Sequence, residues 1–212
     1  FSEMIAIWVL SFWQNMGSPK KFNFVELGAG NGEMMKIIIE SFQNFPIPFN
    51  SCSFFIHEKS PSLIKVQKMK LNKSKITWIS NLGKINDYPS IFVANEFFDA
   101  MAIRQFEKKN NSWFEKFVSL EYPKKAFFFF KKANIQKIEK KIGFTISKNQ
   151  KFIEFSELGL EYLKKISKII KKNNGGLLLI DYGYIDKKMR NTLQGITKHK
   201  FANILDNIGN TD

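Results

Sequence analysis

Residues Phe24–Val25–Glu26–Leu27–Gly28–Ala29–Gly30–Asn31–Gly32–Glu33 decide how this chain is read. The mainly apolar run 22–27 predicts a buried strand. Three alternate glycines follow at once, and Met34, Met35, Ile37, Ile38 and Ile39 open a helix. Strand, glycine turn and helix in that order let the backbone approach a ligand with no Cβ in the way. The spacing selects the ligand. A dinucleotide fingerprint needs G-x-G-x-x-G, yet its third glycine position holds Glu33, and a phosphate loop needs G-K-[ST], which is absent. The motif is Glu-x-Gly-x-Gly-x-Gly, with Glu26 at the strand end and no Lys or Arg in the turn. A ligand carrying positive charge suits it better than one carrying phosphates. S-adenosylmethionine, with its sulfonium and α-amino groups, meets that requirement. The competing reading is a tight strand-to-helix turn that binds nothing.

Outward from this turn the pattern alternates. Ser2 is placed to cap a largely buried helix reaching Asn15 or Met16, stopped by Gly17. The helix after the glycines should end near Phe42, ahead of Pro46 and Pro48. Residues 51–57 predict a second strand with Glu58 at its end, 26 residues beyond Gly32. An acidic residue about 20 residues on meets a ribose in nucleotide-type folds. Ser60–Pro61 reads as an N-cap and N1 proline opening a helix to about Leu71. Strands follow at 76–79 and 90–94, the latter running into Asn95–Glu96–Phe97–Phe98–Asp99–Ala100. This alternation predicts a parallel sheet covered by helices.

It breaks after residue 100. Residues 103–107, a turn at Lys109–Asn110–Asn111–Ser112, and runs at 113–120, 126–130 and 152–155 predict an antiparallel insertion spanning about 101–155. Lysines flank the Phe127–Phe128–Phe129–Phe130 run as gatekeepers against aggregation. Ser156 then caps an apolar-striped helix closed by Asn173–Asn174–Gly175–Gly176, and 177–180 is a fifth core strand ending in Asp181–Tyr182–Gly183.

Composition bounds the function. The 212 residues suffice for one α/β domain, and no apolar run approaches the roughly 20 residues of a bilayer span. Cys52 is the sole cysteine and His57 and His199 the only histidines, so neither an intrachain disulfide nor a zinc cluster can be assembled. No metal is expected, and a reducing, cytoplasmic setting is the default. The net charge of +14 raises nucleic acid as a partner. Against it, Arg104 and Arg190 are the only arginines and the lysines are scattered, which favours a solvated basic surface.

Taken together, these stretches resemble the MidA-type class I methyltransferases. The resemblance rests on Phe1–Ser2–Glu3–Met4–Ile5, the segment from Val25 through the glycines to Gly32, Glu58–Lys59–Ser60–Pro61, Ala94–Asn95–Glu96–Phe97–Phe98–Asp99–Ala100, and residues 176–183 and 206–212. Ala29 stands where the family usually has Pro, Asn31 where it has Arg, and Met101–Ala102 where it has Leu-Pro. The resemblance implies a Rossmann-like α/β fold with a mostly parallel sheet, S-adenosylmethionine as cofactor, and a chain truncated at both ends. For mitochondrial members it implies protein arginine methylation of a respiratory-complex subunit and a role in complex I assembly. A protein substrate is the expected partner here.

Each site residue is assigned a task. Gly28, Gly30 and Gly32 would let the backbone pass under the cofactor, Glu26 would receive its α-amino group, and Glu58 would accept both ribose hydroxyls, with Asn95 beside them. A surface charge opposite Lys59 is the alternative for Glu58. Glu96, Asp99 and Asp181 lie at strand ends and are the catalytic candidates, Glu96 and Asp181 gripping one guanidinium. Alternatively, Glu96 and Asp181 only tie down loops. His57 and His199 read as structural or surface residues. Two further functional readings stay open: a non-catalytic assembly scaffold that keeps the fold, and a methyltransferase for nucleic acid or a small molecule.

Overall fold

In the computed structural model, residues 1–72, 75–121, 125–146, 148–186, 188–197 and 200–205 are described; His199 and the segment 206–212 lie outside them. In chain order the elements are α1 (Ser2–Asn15), β1 (Phe22–Leu27), α2 (Glu33–Gln43), α3 (Pro46–Ser51), β2 (Cys52–His57), α4 (Pro61–Lys70), β3 (Ile76–Ile79) and β4 (Ser90–Asn95). There follow β5 (Arg104–Lys109), β6 (Ser112–Glu121), β7 (Lys125–Ala133), α5 (Ile135–Ile142), β8 (Phe152–Phe155), α6 (Glu157–Asn173), β9 (Gly175–Ile180), β10 (Gly195–Thr197) and β11 (Lys200–Ala202). They form two compact units, Phe1–Met101 with Glu161–Gly183, and Ala102–Leu160 with Tyr184–Asp212.

In the first unit every residue of β1 is buried, because β1 is the central strand of a sheet ordered β3-β2-β1-β4-β9. All pairings are parallel, with Leu27 opposite both His57 and Ala94. The period of two along a strand splits the core into two layers. Phe22 and Phe24 pack with Ile56, Ile91, Val93 and apolar residues of α1 and α2, whereas Val25 and Leu27 pack with Phe92, Ala94, and Tyr162 and Ile166 of α6. Helices cover both faces, as a buried parallel sheet requires. Phe54 meets two other phenylalanines edge to face, 6.1 Å from Phe24 and 5.6 Å from Phe42, ring centre to ring centre.

Strand order positions the site. From β1 the chain steps outward through β2 to β3, then returns to place β4 on the other side of β1. The connections leave β1 and β4 in opposite directions, and the crevice above their carboxyl ends is where such sheets bind ligands.

Several local expectations need correction. Ser2 does not cap α1; Phe1 holds the cap position without a side-chain hydrogen bond, and the Ser2 hydroxyl falls inside the first turn. Only one stripe of α1 is buried, with Met4 and Ile7 exposed. The second strand starts at Cys52 rather than Ser51, because Ser51 ends a short helix, α3, that Pro46 opens, its fixed φ suiting a first helical turn. Gly175 and Gly176 belong to β9 rather than to the stop of α6, and Asn174, at φ +68°, makes that turn.

The second unit is an antiparallel sheet ordered β7-β6-β5-β8, with a small core of Phe106, Trp113, Ile138 and Ile153. Asn110 and Asn111, at φ +47° and +59°, form the two-residue hairpin loop between β5 and β6. Asn134 caps α5 by accepting from the Lys137 N–H at 3.2 Å, and Gly143 ends it. Besides the lysines that flank the phenylalanine run in sequence, lysines of β5 and β6 cover it. The Lys109 and Lys116 ammonium groups lie 3.7 and 3.9 Å from the ring centres of Phe130 and Phe128, shielding edge strand β7 by cation–π contact. Arg104 forks onto Glu115 at 2.6 and 2.7 Å and reaches Glu157, which Lys141 also contacts at 2.6 Å. Among the described residues no helix is long and apolar enough to cross a membrane.

Candidate active site

Glu26 is the fifth residue of β1, and the strand's pleat directs it into the core: it is 2 % exposed. Its Oε2 has no hydrogen-bond partner. Burial pushes its carboxyl up to about 8, because a charge out of water without a counter-charge is strongly disfavoured. A buried, unpartnered carboxyl is what an incoming ammonium group would satisfy.

The three glycines differ. Gly28, at φ +66°, lies against Phe97, whose Cδ2 would stand 2.7 Å from an added Cβ. Gly30, at φ +52°, has open space in that direction, so a ligand has room there. Gly32 caps α2 in the left-handed region, and its missing Cβ would face Leu71 and Gln67. Asn31 Oδ1 accepts from the Glu33 N–H at 3.0 Å and closes the turn.

At the end of β2, Glu58 is held rigidly. Its Oε1 accepts from the backbone N–H groups of Lys59 and Ser60 at 2.8 and 2.9 Å, and its Oε2 from Gln67 Nε2 at 3.3 Å. The Lys59 ammonium is engaged over the Tyr162 ring, 5.2 Å from its centre. Ser60 caps α4 by accepting from the Leu63 N–H. Gln67 is absent from the candidates read off the sequence; it carries no motif and stands on a helix rich in lysine.

Asn95 closes β4 opposite Ile180. The next residue, Glu96, donates its N–H to the Ile180 carbonyl at 2.9 Å and takes φ +46°, a conformation that a non-glycine residue holds only under constraint. Asp181 has both oxygens committed to backbone: Oδ2 accepts from Phe98 and Asp99 at 3.0 and 3.2 Å, and Oδ1 from Tyr182 at 2.9 Å. Asp181 thus braces the loop after β4. The Tyr182 hydroxyl, on a side chain 79 % exposed, donates to Glu96 Oε1 at 3.4 Å. Partial burial, then the charges of Asp181 and Glu96, raise the Asp99 carboxyl above its ordinary range.

His57 is structural in its contacts. Its Nδ1 meets the Ile79 carbonyl at 3.1 Å and its Nε2 the Tyr162 hydroxyl at 2.7 Å, both buried. Burial, then the Lys59 charge, lowers its pKa, so the folded protein keeps it neutral. Unfolded, it binds a proton near pH 6.5. Its contribution to stability is therefore complete above that value and lost as pH falls through the lower folded value. The unfolding midpoint is expected to drop between pH 7.5 and 5.5, with a smaller drop in His57→Gln; equal drops would remove this assignment.

This turn, these strand ends and this sheet order define a class. Residues 4–212 match a family model described as "Putative S-adenosyl-L-methionine-dependent methyltransferase", and the chain belongs to that family. It is similar to the protein arginine methyltransferase NDUFAF7, mitochondrial, of Xenopus tropicalis and of Homo sapiens, at 26 % and 24 % identity over all of this chain and 55 % and 53 % of those proteins. The chain spans about half the length of the curated relatives it matches. In fold it resembles a Burkholderia thailandensis protein crystallised with S-adenosyl-homocysteine, at TM-score 0.76 and 17 % identity over 100 % of this chain and 56 % of that one. A second structure from the same organism gives TM-score 0.75 at 16 % identity, over 95 % of this chain and 55 % of that one.

Proposed function

We propose that this chain carries the cofactor-binding core of an S-adenosylmethionine-dependent methyltransferase whose acceptor is a nitrogen of a protein side chain, that of arginine. The observation that carries the reading is Glu26, a buried carboxyl with an unpartnered oxygen at the foot of a glycine turn that has open space at Gly30. Glu26 would pair with the α-ammonium group of the cofactor. Glu58, fixed by two backbone N–H groups, would accept the ribose hydroxyls with its remaining lone pairs. Bound there, the cofactor supplies a methyl group already activated by its sulfonium.

The acceptor side rests on the carboxyls after β4 and β9. Glu96 and Asp99 place two carboxyls there, and Asp181 holds the loop that presents both. A cationic side chain would be drawn to these local carboxyls against the chain's net charge of +14. The names of the mitochondrial relatives support protein arginine as the acceptor; a respiratory-complex subunit as the partner rests on the family resemblance alone. Transfer would form the N–C bond as the C–S bond breaks, the electrons returning to sulfur and the nitrogen's proton leaving to Glu96 or to water. Positioning and fixed charge would account for most of the acceleration.

The test is the pH dependence of cofactor binding. The Glu26 carboxyl is protonated in the free protein up to about pH 8, and docking an ammonium beside it expels that proton. Affinity should rise with pH up to about 8, with proton release visible by calorimetry in buffers of different ionisation enthalpy. Glu26→Gln should flatten the slope. Binding that releases no proton would overturn the role of Glu26. Labelled methyl groups recovered on protein arginine would establish the acceptor, and cofactor binding with no transfer in a cognate lysate would make the protein a scaffold.

A further inference from the structure

Gln67 is a fully buried polar residue that the scheme above leaves without a task. It stands on α4, yet its side chain reaches three separate elements. Its Nε2 donates to the Gly30 carbonyl at 2.9 Å and to Glu58 Oε2 at 3.3 Å, and its Oε1 accepts from Trp78 Nε1 on β3 at 2.9 Å. These partners lie 37, 9 and 11 residues away in sequence. The indole N–H is only a donor, so it sets the amide with its oxygen toward Trp78 and its two hydrogens toward Gly30 and Glu58. One side chain thereby ties the glycine turn after β1 to the carboxylate after β2. Glu58 Oε1 is already fixed by backbone; Gln67 fixes the other oxygen, and with it the rotation of the carboxylate plane.

We propose that Gln67 is the positioning residue of the cofactor site, holding the Glu58 carboxylate and the Gly30 turn in the mutual geometry that accepts a ribose diol. It touches no reacting atom. The inference rests on the cofactor reading given above. An amide that merely satisfied buried polar groups would matter equally for any ligand of the crevice. A positioning amide matters in proportion to what Glu58 contributes, and residues in one hydrogen-bond network couple in this way.

The test compares S-adenosylhomocysteine with its 2′,3′-dideoxyribose counterpart, measured by calorimetry on wild type and Gln67→Met. Methionine keeps the volume and removes every hydrogen bond. Since that variant leaves the Trp78 indole unpartnered, Gln67→Met/Trp78→Phe is measured beside it, so that a folding defect of the single variant does not decide the outcome. The loss of affinity for S-adenosylhomocysteine is expected to exceed the loss for the dideoxy compound by about fivefold or more, within the coupling range of such networks. In a Glu58→Ala background the Gln67 change should cost almost nothing further. A smaller ratio, or losses that add with Glu58→Ala, overturns the inference while leaving cofactor binding in place. Wild-type protein that binds neither ligand removes the cofactor reading, and this inference with it.

Discussion

Glu96→Gln is expected to slow methyl transfer by ~10²–10³ while leaving S-adenosylmethionine affinity nearly unchanged, the scale for losing one charged contact to a transition state. The reasoning starts from the backbone. Glu96 follows the last residue of β4, is pinned by its N–H to Ile180, and holds φ +46°. Its carboxylate accepts from the Tyr182 hydroxyl at 3.4 Å. On the proposed reading it faces the acceptor, where it would accept an N–H of the incoming nitrogen group. Glutamine preserves shape and a carbonyl oxygen but removes the charge. Single-turnover transfer of labelled methyl, with calorimetric affinity for the donor, separates the two effects. A rate within threefold of wild type would return Glu96 to a loop-tethering role. Asp181→Asn should behave differently, loosening the loop and weakening both quantities, because its oxygens hold Phe98, Asp99 and Tyr182.

Gly30→Val should weaken cofactor binding by about 100-fold or more while the domain still folds. Nothing in the protein lies within 4 Å of a Cβ built there, so no clash with the chain itself arises. What the substitution meets is its own backbone at φ +52°, which costs about 1–2 kcal/mol for an L-residue, and whatever ligand lies against the turn. Filling that contact displaces the ligand outright, hence the difference in scale between the two effects. Thermal unfolding and calorimetry on one sample give both numbers. A folded variant that binds as wild type would show that the cofactor lies elsewhere. The contrast with Gly28 is instructive: there a Cβ would strike Phe97 at 2.7 Å, so substitution would disturb packing before it disturbed a ligand.

The parts of the fold legible without coordinates were those governed by neighbours in the chain. The run 22–27, the Ser60–Pro61 start of α4, the Ser156 cap accepting from the Gly159 N–H, and the Asn110–Asn111 hairpin each depend on a few consecutive residues and their allowed dihedrals. The short helices α3 and α5 do not stand out in the sequence, although Pro46, Asn134 and Gly143 are ordinary start and stop signals. At six and eight residues they are too short to show a sustained helical period.

The site divides along the same line. Alternate glycines after a strand announce a tight strand-to-helix turn from local sequence alone, because few other residues permit such backbone. That Glu26 has an oxygen without a partner, that Asp181 is spent on three backbone N–H groups, and that Gln67 joins the turn to Glu58 depend on burial by other elements or on distant partners, Gly30 being 37 residues from Gln67 and Phe98 83 from Asp181. Polar side chains acquire roles from the donors and acceptors that topology brings within about 3 Å. Sequence spacing carries no record of those distances once the chain has crossed from one strand end to the next.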